Sequence, residues 1–281
     1  VYIPANTNVR FTSEAGLLIF GSLYVNGSAE QPVRFSGRNK KTWQGVSVFG
    51  QGEKSQVKHF SLDTSGSPKQ GLWRPKGALY FYDVDLEASY LYISNNHSED
   101  ALNIVKSQFN LEYLHIENAY SDGFDCDFCR GQIKYSRFVN IGIRSGGDAL
   151  DISGSQVLVE HSTFERIKDK AISAGEASWV TAKQIKLRQT AFGIVAKDGS
   201  TVQVSNISGL DVKYAMFMAY IKKPLFGGAS LYVKQFDCKN CNNISILQES
   251  NHLVLDGVPQ KGQHVNVKKL YNNVMRSDKP Q

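Results

Sequence analysis

The sequence predicts an all-β solenoid, on three observations. A unit of about 22 residues recurs, apolar and polar residues alternate inside each unit, and Gly, Asn, Ser and Asp gather between the alternating runs. Alternation with a period of two places side chains on opposite faces of a half-buried strand, and the polar clusters are turns. A unit this short has too little apolar surface for a core of its own, so it must stack on its neighbours. No segment keeps helical spacing for three turns.

Taken in order, residues 1–76 hold the opening coils, in "NVRFTSEAGLLIFGSLYVNGSAEQPVRFSG" and "TWQGVSVFG". Residues 77–243 hold the regular ones. Segments that begin alike start at Ala101, Gly123, Ala149, Ala171 and Gly193, which are 22, 26, 22 and 22 residues apart, and "FMAYIKKPLFGGASLYVKQF" from Phe217 follows after 24. Residues 244–281 are expected to close the stack as a last coil or cap, and 1–281 is read as one domain.

These repeats resemble those of right-handed parallel β-helix proteins, the pectate-lyase-like superfamily. Its members include polygalacturonases, alginate epimerases and many surface proteins of phages and bacteria. The resemblance covers the chain to about Asn243 and implies about eleven coils of 22–26 residues. It further implies an exported protein, extracellular or periplasmic, whose partner is a polysaccharide, expected to be anionic. Coil geometry is common to enzymes and non-enzymes, so a lyase, epimerase or hydrolase stands beside a non-catalytic surface, assembly or polysaccharide-binding module.

Composition narrows the classes. With 41% hydrophobic and 21% charged residues in 281, the chain is that of a folded protein. No apolar run approaches the roughly 20 residues of a membrane-spanning helix. The net charge of +6 is scattered, with no basic helix and no zinc-finger spacing, so nucleic acid is not an expected partner. The chain begins at Val1 without a Met and is read as processed or truncated, with a missing N-terminal domain or a partner protein as the corollary.

Stacking brings equivalent residues to about 4.8 Å from one another. Leu102, Phe124, Leu150, Ile172, Ile194 and Met218 then form one lumen line, and Ile104, Cys126, Ile152, Ala174, Ala196 and Tyr220 a second. Between them Asn103, Asp125, Asp151, Ser173 and Val195 point outward, as do Val105, Asp127, Ser153, Gly175 and Lys197 two residues on. Asp100, Asp122, Asp148, Lys170 and Phe192 line up just before the strand. Asp122, Asp125, Asp127, Asp148 and Asp151 thus share one outer patch, with Asp100 beside it. Lys170, Lys197 and Lys222 lie on its basic flank, and the insertion "IRSG" puts Arg144 in the loop leading to Asp148.

Such a patch suits three uses besides capping turns. Glycoside hydrolysis needs two carboxyl groups about 5–5.5 Å apart for retention or about 6.5–9.5 Å for inversion. Asp125 with Asp151 suits the shorter distance, and Asp127 with Asp151 the longer. "SDGFD" and "GGDALDIS" are similar to the Asn-Thr-Asp-Gly and Asp-Asp elements of polygalacturonases, although Ser121 replaces the Asn-Thr element and neither Gly-His-Gly nor Arg-x-Lys is found. Elimination or epimerisation at a uronic acid needs its carboxylate neutralised. Ca²⁺ on Asp125, Asp127 and Asp151 would do that, or Lys170, Lys197, Lys222 and Arg144 meeting sugar carboxylates. Binding of Ca²⁺ or sugar without chemistry is the third use. No other cofactor is called for.

Cys126-x-x-Cys129 and Cys238-x-x-Cys241 have the spacing of a four-thiolate zinc site. The repeat places them about four coils, or ~20 Å, apart, which Zn–S bonds of about 2.3 Å cannot span. A local disulfide needs a bend between the two cysteines, and "DCKNCNN" is the better candidate. Cys126 is expected in the lumen. Asn96 and Asn118, with Arg166 in the same register, are read as a turn ladder. Tyr113, Tyr135, His115 and His161 belong to another face, where the tyrosines could stack on sugars or on each other.

Overall fold

A computed structural model describes residues 1–69 and 74–275. It is a parallel β-helix of about eleven coils. One coil shows the plan: strands Asp122–Asp127, Arg130–Lys134 and Arg137–Ile141 form its first, second and third faces. Each strand pairs in parallel with its equivalents one coil before and one coil after; Asp122–Asp127, for instance, lies between Asp100–Val105 and Leu150–Ser153. Among the described residues the one antiparallel pairing is the closing hairpin of His252–Leu255 with Val258–Pro259.

Corners between faces need a sharp bend, and here single residues in the left-handed region supply it. At one corner Asn95, Asn118, Asn140 and Arg166 have φ of 52, 57, 54 and 55°. Asn tolerates this region better than most residues. The amides bond along the stack, Asn118 Nδ2 to Asn95 Oδ1 at 3.1 Å and Asn140 Nδ2 to Asn118 Oδ1 at 2.9 Å, and the Arg166 guanidinium donates to Asn140 Oδ1. The ladder therefore runs through Asn95. Asn96, the expected member, is buried and donates to Ser98 Oγ at 2.9 Å.

The corner between the second and third faces carries aromatic rings. His59, Tyr90, Tyr113, Tyr135 and His161 stack with successive centroids 4.4, 4.6, 5.3 and 5.0 Å apart. Each tyrosine has both ring faces covered by neighbours and only its edge in solvent. Tyr113 and Tyr135 are thus packing partners, with no face left for a sugar.

The lumen is lined as the repeat predicts from Leu102 to Ile194 and from Ile104 to Ala196. In the next coil the register differs. Ile194 pairs with Phe217 and Ala196 with Ala219, so Met218 and Tyr220 are outward residues. A one-residue slip exchanges the two faces of a strand. The alternation that should reveal it is missing because all six residues of Ala215–Tyr220 are buried, on both faces.

A column of hydroxyls holds the turn into the second face. Ser155 Oγ accepts from Cys129 N at 2.8 Å, Ser178 Oγ from Ser155 N at 3.0 Å, and Ser200 Oγ from Ser178 N at 3.1 Å. Ser155 Oγ itself donates to Ser153 O at 2.7 Å, as Cys129 Sγ does to Asp127 O at 3.3 Å. Cys129 is the cysteine member of a serine ladder. Cys126 is fully buried in the lumen, and both thiols are free. Cys238 and Cys241 form a disulfide with Cα atoms 6.0 Å apart, the left-handed Asn240 supplying the bend. They lie four coils beyond Cys126 and on another face.

After the hairpin the chain turns back. Helix Val267–Asn273, capped by Asn266 Oδ1 accepting from Lys269 N at 2.9 Å, lies over the outer side of the first face at its C-terminal end. There Leu270, Tyr271 and Met275 pack on Val195, Met218 and Tyr220, forming a second apolar cluster outside the lumen. Among the described residues no helix is long and apolar enough to cross a membrane.

Candidate functional site

The first face displays the predicted columns. Asn103, Asp125, Asp151, Ser173 and Val195 are in register across five strands, and Val105, Asp127, Ser153 and Gly175 beside them. Asp100 pairs with Asp122 at the strand start. The backbone forces this clustering, since parallel neighbours repeat about every 4.8 Å and outward side chains cannot diverge. All five predicted aspartates fall on the patch.

Its lysines are set into it. Lys170, only 3% exposed, places Nζ 3.1 Å from Asp148 Oδ1 and 2.7 Å from Asp169 Oδ2, under the Tyr271 ring at 5.9 Å. Burial works against its charge, but Asp148 and Asp169 more than offset that, and its pKa is raised well above the usual lysine value. Lys197 Nζ reaches back two coils to Asp151 Oδ1 at 3.3 Å. Its stem crosses Gly175, where an added Cβ would stand 2.7 Å from Lys197 Cε. The glycine is the channel through which the lysine reaches the aspartate.

The carboxyl groups divide into two kinds. Burial, then the neighbouring charges of Asp100 and Asp151, push Asp125 well above the carboxylate range, and burial with Asp148 and Asp100 does the same to Asp122. Burial and Glu176 raise Asp127. Asp100 is pushed up to about 7 by burial and Glu99, and Asp169 to about 6 chiefly by burial. Asp151 goes the other way. Burial opposes its charge, yet Lys197 and Lys170 outweigh it and hold the pKa below the usual value. Asn103 Nδ2 links the raised pair, donating to Asp100 Oδ2 at 2.7 Å and to Asp125 Oδ2 at 3.1 Å. Asp122 Oδ1 accepts from Asp148 N at 2.6 Å and Asp148 Oδ1 from Lys170 N at 3.0 Å, so these two also hold the turns.

Two predicted members stand apart. Arg144 is exposed in the loop before Asp148 and makes no side-chain hydrogen bond or ion pair among the described residues. Lys222 places Nζ 4.6 Å from the Tyr271 ring rather than on an aspartate, while its backbone N–H donates to Asp198 Oδ1. The inward-turned, paired Lys170 and Lys197 likewise do not face solvent as receptors for sugar carboxylates. Among the described residues no three His, Cys, Asp or Glu side chains are grouped to hold one metal ion.

Sequence reasoning placed Asn103 and Gly175 in the outward columns without giving them a role, and missed Asp169 and Tyr271. Asp169 could have been found as the neighbour of Lys170, and the role of Gly175 from its place in the Lys197 column. Tyr271 lies outside the repeat and carried no signal.

No protein-family model matches the chain, and no curated protein does. Solved structures do. The alginate lyase from Paenibacillus sp. str. FPU-7 superimposes with a TM-score of 0.53 at 10% identity, over 88% of this chain and 92% of that one. The catalytic domain of a GH87 alpha-1,3-glucanase in complex with nigerose gives 0.51 at 10% identity, over 91% of this chain and 63% of that one. The chain therefore spans less than two thirds of the glucanase domain. At this identity the likeness establishes the β-helix fold.

Proposed function

We propose that the protein hydrolyses a polysaccharide at the acidic patch, with Asp125 as general acid and Asp151 as the ionised partner. One observation carries this reading: two aspartates on adjacent, in-register strands have environments that push their pKa values in opposite directions. Such divergence separates an acid from a base or nucleophile. Strand spacing of about 4.8 Å puts the pair near the ~5–5.5 Å of a retaining glycosidase. That both similar solved structures are named for acting on polysaccharides supports the substrate class.

The chemistry follows from the protonation states. Asp125 gives its proton to the glycosidic oxygen as the C1–O bond breaks, and Asp151 forms an ester bond to C1. Asp125, now a carboxylate, takes a proton from water, whose oxygen displaces Asp151 from C1. Lys197 keeps Asp151 anionic, and Asn103 holds the acceptor oxygen of Asp125.

The charge balance favours a neutral glycan over the anionic one expected from the resemblance. Lys170 and Lys197 are consumed in ion pairs with Asp148, Asp169 and Asp151, and Lys76 and Lys223, whose charges reach Asp100 and Asp127, pair with Glu99 and Glu176, so none of these lysines is left for a sugar carboxylate. A uronate would meet the anionic Asp151 with no unpaired cation beside it unless Ca²⁺ intervened.

The test is product release from α-1,3-glucan and from alginate, each with and without Ca²⁺. New reducing ends from the glucan, lost about 10²–10⁴-fold in Asp125→Asn and in Asp151→Asn, are expected. Unsaturated ends from alginate alone, formed only with Ca²⁺, would replace this reading with elimination.

A further inference from the structure

The corner at which the first face turns into the second is built from left-handed residues, as the other corners are. Asp83, Lys106, Phe128, Gly154, Glu176 and Asp198 stand in one column with φ between 53 and 59°. Five of the six are polar or glycine, the residues this conformation tolerates and solvent favours. Phe128 is the exception. A bulky aromatic gains nothing from that backbone, and at 64% exposure it gains little from burial.

What the ring does is define one wall of a hollow of about 520 Å³. Gly154 next to it has no side chain, and any Cβ there would lie 2.9 Å from Phe128 Cδ1. The corner ridge is therefore notched at Gly154, and Ala177, beside Glu176 in the next coil, lines the same hollow. Trp179, 47% exposed at the start of Trp179–Arg188, stands across the notch. Between the aromatics lie polar side chains, Arg130 and Gln156 foremost. Arg130 donates through Nε and Nη2 to Gln156 Oε1, which fixes both groups and leaves the two Gln156 amide N–H and the three other guanidinium N–H without partners among the described residues. Exposed rings with oriented donors between them are the recognition chemistry of a pyranose, which offers C–H faces and an equator of hydroxyls.

The notch also adjoins the acidic patch without a break, because Phe128 directly follows Asp127. A polymer lying along Asp122–Asp127 passes over this corner on leaving the face. We infer that the notch between Phe128 and Trp179 is a remote glycan-binding subsite, which holds a sugar unit of a chain bound at the aspartates. The inference rests on the polysaccharide reading of the patch. It predicts that long chains gain affinity that a disaccharide cannot, since only they reach both places.

The experiment compares binding of nigerose and of longer α-1,3-glucan oligomers by calorimetry, in an Asp125→Asn background and in the same background with Phe128→Asn and Trp179→Thr. Asn adopts the left-handed corner and Thr suits a strand, so the melting temperature should be unchanged or raised, and lost binding cannot be ascribed to unfolding. A tenfold or greater loss of affinity for the long oligomers, with nigerose binding unchanged, is expected. Equal affinity of the two proteins for long oligomers, or no binding of them by either, overturns the subsite. The two readings fail separately: an aromatic-dependent binder whose parent cleaves nothing keeps the subsite and loses the hydrolase, whereas cleavage by the parent with indifferent aromatic variants does the reverse.

Discussion

Asp125 and Asp151 have the same side chain and neighbouring places in one sheet, and differ in what stands next to them. Asp125 has carboxyl groups and an amide; Asp151 has the Nζ of Lys197. That lysine reaches it only because residue 175 lacks a Cβ. In Gly175→Ala the methyl would meet the Lys197 stem at 2.7 Å and displace it. Asp151, relieved of its cation, would ionise at higher pH. The proposed mechanism needs Asp151 ionised and Asp125 protonated, so activity should occupy the window between the lowered and the raised pKa. The pH–rate profile of Gly175→Ala should accordingly lose its acidic side, the limb moving to higher pH while the alkaline limb stays. An unmoved acidic limb would separate Lys197 from the chemistry.

Among the strands and corners, the columns were legible because the repeat is rigid. Offsets of 22 and 26 residues place every outward residue from Asn103 to Lys197 correctly, the "IRSG" insertion being absorbed in one loop. The two Cys-x-x-Cys motifs were legible as separate structures, but not their different fates. Cys238 and Cys241 flank a left-handed Asn240 and are bonded, while Cys129 sits where its stack neighbours have serine. The serine column is invisible until the coils are stacked in register. It predicts that Cys129→Ser is tolerated within about 0.5 kcal/mol. Cys126→Ser buries a hydroxyl in the lumen, with only the Cys129 and Ser155 side chains beside it as polar partners, and should cost about 1–3 kcal/mol. Denaturant midpoints of the two variants decide it; equal losses would contradict the ladder.

Over the full length of the solenoid, the lumen accounts for the stack and the C-terminal segment for what the repeat could not show. Leu270, Tyr271 and Met275 cover the outer side of Ala215–Tyr220, which made that strand apolar on both faces and concealed its register. The same cover buries Lys170, which the sequence leaves reading as a surface lysine. The acidic patch carries a stability cost that depends on pH. Asp100 has a pKa raised to about 7 in the fold, against an ordinary value of 3.8. The fold holds this proton more tightly than the unfolded chain does, so the associated stability is full below about pH 4 and is lost as pH rises through about 7. Asp100→Asn should escape that loss. Its advantage over the parent in denaturant unfolding should grow by a few kcal/mol between pH 4 and pH 8, because each pH step between the unfolded and folded pKa values costs the parent about 1.4 kcal/mol. A constant difference across that range would show that Asp100 ionises normally in the fold.

Stacking, on this view, turns a row of like residues into an acid and a base, and carboxyl-carbon NMR titration of Asp125 and Asp151 in the free protein reads that difference without a substrate. Asp151 should titrate below the ordinary aspartate range and Asp125 well above it, so that one is ionised while the other keeps its proton across the intervening pH. Both titrating together near the ordinary value, or in the opposite order, would contradict the division of roles.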